Sequence, residues 1–118
     1  GPDSEVQLMQ AMGIDAHVDW NVDWTRVKGE LAAGRPVVIS SPGHYFVAER
    51  LNQDGTIDFG QSAGVLRAAG APGNKRTSYR PEELASLGMG SARAVIYMGA
   101  RAGSPAAGGT GGARAVAR

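Results

Sequence analysis

His44 is the residue of this chain whose type and position most invite chemistry. It follows the turn Ser40-Ser41-Pro42-Gly43 and opens a strand. An imidazole held there can take and return a proton near neutral pH. The alternation that follows puts His44, Phe46 and Ala48 on one face and Tyr45, Val47 and Glu49 on the other. Asn52-Gln53-Asp54-Gly55 is a hairpin signal, and Thr56 to Gly60 is expected to return antiparallel with Ile57 and Phe59 on a shared face. That return ends in Gln61 and Ser62, an amide and a hydroxyl of the kind that can orient an imidazole. Asp58 is the nearest carboxylate, on the face opposite Ile57 and Phe59.

Other combinations carry less. Ser40, Ser41 and Ser62 lie near His44 in sequence, but no G-x-S-x-G frame accompanies them. Asp15, His17 and Asp19 alternate onto one face, yet three ligands on one short strand need further partners, and they read as a solvated edge. No metal site and no cofactor site is expected. Gly70 to Gly73 with Lys75 lacks the phosphate-loop frame, and Glu82-Glu83 suits a helix start.

The elements that must position His44 follow from periodicity. Asp3 or Ser4 is expected to cap a first helix, with Gln7 completing a capping box, Val6, Leu8, Met9 and Met12 as its stripe and Gly13 as its stop. Ile14 to Val18 reads as a short edge strand. Trp24 to Ala33 repeats apolar residues at Trp24, Val27 and Leu31, with Asn21 or Asp23 as cap and Gly34 at the C′ position. Pro36 to Ile39 is a buried strand. Ala63 to Tyr79 reads as a long loop, Arg80 to Leu84 as a helix start with proline early, and Ala92 to Met98 as a final strand. The class is α+β, with two or three helices and a mainly antiparallel sheet.

Composition bounds the rest. At 118 residues with a net charge of +1, the chain is one domain with no electrostatic footprint for nucleic acid. It has no apolar run long enough to span a membrane. The absence of cysteine excludes disulfides and a thiol nucleophile within it. Gly1-Pro2 has the form of a scar left by cleavage of an expression tag, so the domain is placed at residues 3–100. Residues 101–118 are Gly/Ala-rich without aromatics and are expected to form a flexible tail.

The segments WTRVKGELAAGRPVVIS, GHYFVAERLNQDGTIDFGQS and ARAVIYMG together resemble the C-terminal half of a C39-like domain of the papain-like cysteine peptidase superfamily, over Trp24 to Met98. In that group a helix leads into a G-R-P-V strand, a turn delivers the histidine, and a hairpin ends near its orienting residue. The resemblance implies a papain-like half-domain in which His44 is the general base, Gln61 takes the orienting position and Asp58 is the alternative. It implies no turnover by this chain alone, because the nucleophilic Cys would be supplied by an upstream segment or another chain. The substrate implied is a peptide or peptidoglycan stem, bound with help from Trp20, Trp24, Tyr45 and Ser62. The alternative is a non-catalytic pseudo-peptidase that binds a peptide or joins a larger assembly. Either reading places the parent protein outside the cell, in the cell wall, or in a virion such as a phage tail.

Overall fold

The computed structural model describes residues 1–64, 66, 75–87 and 92–99. The expected tail and most of the expected loop after Gly64 lie outside the described residues. Within them the chain is α+β, with a four-stranded antiparallel sheet, a smaller three-stranded sheet and three α-helices.

Helix α1 spans Pro2–Ala11. It starts on Pro2 with Gly1 as an N-cap that offers no side chain, so the Ser4–Gln7 capping box does not form. Proline fits the first helical position because the amide proton it lacks would have no partner there. Helix α2, Trp24–Ala32, is capped by Asp23, whose carboxylate accepts the amides of Thr25 and Arg26. It closes in a Schellman arrangement: Gly34, at φ +83°, donates to Leu31, and Arg35 donates to the Glu30 carbonyl.

Strand β1, Ala16–Asp19, forms one edge of the large sheet; β7, Ala94–Met98, and β2, Val37–Ser41, lie inside it. Strand β3, His44–Ala48, is the other edge. Pro42 and Gly43 join β2 to β3, and Gly43 takes the φ of +79° that the third residue of a type II turn requires. The small sheet has the order β4 (Arg50–Leu51), β5 (Ile57–Asp58) and β6 (Ser78–Tyr79). Ser78 and Tyr79 therefore belong to a strand and not to the loop expected over Ala63 to Tyr79. Helix α3, Pro81–Leu84, follows.

The hairpin differs from expectation in one consequential way. β5 pairs with β4, Arg50 opposite Asp58 and Leu51 opposite Ile57, and the ladder extends only to the bond from the Glu49 amide to the Asp58 carbonyl. β3 itself pairs with β2. The chain leaves the ladder at Gly60, where a φ of +53° would strain any other residue and a Cβ would displace the Glu49 carboxylate, and turns into a 3-10 segment, Gly60–Ala63. Continuing the β4–β5 register would have put Gln61 opposite Val47 and Gly64 opposite His44.

Both faces of the large sheet are covered, which is why β2 is buried throughout. On one face Val37, Ile39, Phe46, Ala48, Val95 and Tyr97 pack with Val27 and Leu31 of α2 and with Ile57, Phe59, Tyr79 and Leu84. On the other, Val38 and Ile96 meet Val6 of α1 and Ala16, with Val47 alongside. The apolar residues of the sheet thus fill two cores, with Ile57 and Phe59 in one and Val38, Val47 and Ile96 in the other. Strand alternation separates Val38, Val47 and Ile96 from Phe59, and Tyr45 stays exposed.

Candidate functional site

Where β2 turns into β3, the end of the sheet opens into a cleft of about 560 Å³. That is within the size range of small-ligand pockets. His44, Tyr45, Ser40, Ser41, Trp20 and Arg93 contribute to it, with the Pro42-Gly43 turn and Gly1-Pro2 completing the walls.

Each side chain arrives for a local reason. The two-residue turn sets Ser41 opposite His44 and Ser40 opposite Tyr45. By alternation Ser41 and His44 share one face, and Ser40 and Tyr45 the other. Arg93 is carried in by its own amide, which donates to the Ser40 carbonyl at 2.8 Å and extends the pairing of β7 with β2. Trp20 follows β1 at a bend fixed by Asp19, whose carboxylate accepts the Asn21 amide at 2.9 Å and pairs with Arg26 at 2.7 Å. Trp20 and Tyr45 remain 55% and 42% exposed, large rings left uncovered at the rim.

The structure does not join His44 to the groups expected to orient it. The imidazole is exposed, and its aromatic neighbour is Phe46, at 6.1 Å between ring centroids. Among the described residues no hydrogen bond links it to Gln61 or Asp58. Asp58 is engaged elsewhere: one oxygen pairs with Arg50 at 2.8 Å and the other accepts the Gly60 amide at 2.9 Å. The Ser62 hydroxyl accepts the Val47 amide at 3.0 Å and lies 2.6 Å from the Phe59 carbonyl, to which it donates. The 3-10 turn therefore docks on β3 at Val47, about 10 Å along the strand from His44.

Of the expected binding residues, Trp20 and Tyr45 meet His44 at the cleft. Trp24 is half-buried against the main core, and Ser62 is held at Val47. Arg93 was missed: it precedes a strand among small residues, and nothing in its sequence context separates it from a solvated arginine. Ser40 and Ser41 drew attention only as nucleophiles, yet their residues are 7% and 6% exposed and line the cleft.

The second histidine is elsewhere. His17 stacks on Tyr97 at 5.9 Å with both ring nitrogens buried and unpaired among the described residues, while Asp19 is held by Arg26. Among the described residues no three His, Asp or Glu side chains are grouped so as to hold a metal ion. Nor is any helix among them long and apolar enough to cross a membrane.

The cleft thus offers an imidazole, two hydroxyls, a guanidinium and two aromatic faces, a set suited to holding a polar chain. No protein-family model matches the chain, and no curated protein and no solved structure was found to match it.

Proposed function

We propose that this domain is a papain-like module of the C39 type whose role in this chain is to bind a peptide, of the kind found in peptidoglycan stems, in the cleft beside His44. The observation that carries the reading is the meeting of His44, Trp20 and Tyr45 at one concave site whose polar side chains make no hydrogen bond with another described residue. Binding is favoured over turnover by this chain because Ser62 and Asp58 are committed to Val47, Arg50 and Gly60, and no hydrogen bond among the described residues joins Gln61 to His44. A general base needs a partner on its second nitrogen to fix its tautomer. The chain also has no cysteine. The parent protein then acts where such peptides occur, in the cell wall or in a phage particle that meets it.

The exposure of His44 favours a second reading. Its ring is open to a thiol brought by another segment or chain, which would make it the base of a cysteine peptidase or amidase.

Peptide titration followed by amide and imidazole NMR tests the first reading. Stem-like tri- and tetrapeptides should shift the resonances of His44, Tyr45, Trp20 and Ser40, and Trp20→Ala should weaken binding severalfold. An absence of shifts at these residues for every peptide would remove the proposal. Hydrolysis by the full natural protein, lost in His44→Ala, would favour the second reading.

A further inference from the structure

The cleft's charge is one-sided. Among the described residues no carboxylate lines it, and Asp19, next to Trp20 in the chain, is bound to Arg26. Arg26, Arg35, Arg50 and Arg76 each hold a carboxylate partner at 2.7 to 2.9 Å. Arg93, exposed at the cleft wall, makes no ion pair and no side-chain hydrogen bond with any described residue. An arginine fork is shaped for two parallel hydrogen bonds to a carboxylate or a phosphate.

Independently, the Ser40 hydroxyl lines the same cleft from a residue that is more than nine-tenths buried, and it has no hydrogen-bond partner among the described residues. Its oxygen is not among the fully enclosed unpartnered atoms, so what enters the cleft can reach it. Arg93 and Ser40 are held together by the bond from the Arg93 amide to the Ser40 carbonyl, so the guanidinium and the hydroxyl sit on one rigid corner of the sheet.

We infer that the cleft reads the C-terminal carboxylate of its peptide, with Arg93 as the cation, Ser40 as the buried hydroxyl donor, and Trp20 and Tyr45 flanking the last residues. This deepens the peptide-binding reading and rests on it. A chain terminus is preferred to an acidic side chain within a longer strand because the cleft has the volume of a small-ligand pocket. The deciding readout is the Arg93 variant.

The experiment compares acetyl-Ala-Ala-Ala with a free carboxylate, the same peptide amidated, and amidated acetyl-Ala-Glu-Ala. Each is titrated into the protein and into Arg93→Gln by calorimetry and NMR. The free acid should bind about tenfold more tightly than the amide. Arg93→Gln should erase that difference, and Ser40→Ala should reduce it in part. Equal binding of acid and amide at the cleft, or a preference that survives Arg93→Gln, would overturn this inference and leave the peptide-binding reading standing. If the internal-Glu amide binds as tightly as the free acid, assignment to the chain terminus is overturned. No cleft shifts with any peptide would overturn both.

Discussion

The Ser62 hydroxyl accepts the amide of Val47 at 3.0 Å, and this one bond decides where the turn after the hairpin rests on β3. Val47 stands on an edge strand, and Ser62 occupies a donor that would otherwise face outward. At the opposite edge the Gln10 amide donates to the Ala16 carbonyl at 2.8 Å. Side chains placed on both edges blunt the sheet against pairing with other chains. Ser62→Ala should cost about 1 to 2 kcal/mol by urea unfolding. It should leave the NMR resonances of the His44 ring unchanged, as should Gln61→Ala. A large response of His44 to either variant would contradict the placement of that turn at Val47.

Glu30 and Arg35 form a bidentate pair at 2.8 and 3.0 Å, almost wholly buried, with Glu30 only 3% exposed. The hydrogen bonds that Arg35 donates to Glu30 raise the Arg35 pKa above its ordinary value, against the opposing effect of burial. Removing one partner leaves a charge with no compensation. Glu30→Gln or Arg35→Met should destabilise by about 3 kcal/mol or more. The double variant Glu30→Leu/Arg35→Met should recover much of that loss, which chemical denaturation of the three variants will measure.

Tyr97 is fully buried, lies under the Arg26 guanidinium at 3.9 Å, and has a hydroxyl without a hydrogen-bond partner among the described residues. Burial pushes its pKa up from 10.0 to about 12. The folded state therefore holds the phenol's proton more tightly than the unfolded chain. This contribution is fully present below pH 10 and is lost as pH rises from about 10 to about 12. Tyr97→Phe should be neutral or stabilising by about 1 kcal/mol at pH 7, and should flatten the fall of melting temperature above pH 10. A loss exceeding about 2 kcal/mol at pH 7 would mean that the hydroxyl has a partner.

The two cores should respond differently. Phe59 is fully enclosed and meets Phe46 edge to face at 6.4 Å, so Phe59→Ala should cost about 3 to 5 kcal/mol. Tyr45→Ala, at an exposed edge position, should cost less than about 1 kcal/mol while weakening peptide binding. Thermal melts of both variants, with a peptide titration of Tyr45→Ala, separate stability from binding.

Local sequence determined a good deal of this molecule. The Asp23 cap and Gly34 stop bound α2, the Pro42-Gly43 turn delivers His44, and alternation along His44 to Ala48 sends Phe46 inward and leaves Tyr45 out, because these depend on backbone geometry and on a period of two. The tertiary structure alone decided that the strand after His44 changes sheets at Glu49, that Ser62 lands on Val47, and that Trp20 and Arg93 join Ser40 and Tyr45 around one cleft. Those relationships link residues far apart in the chain through sheet order and register. Such pairings are settled by which whole arrangement buries the most apolar surface, and no short stretch of residues carries that information.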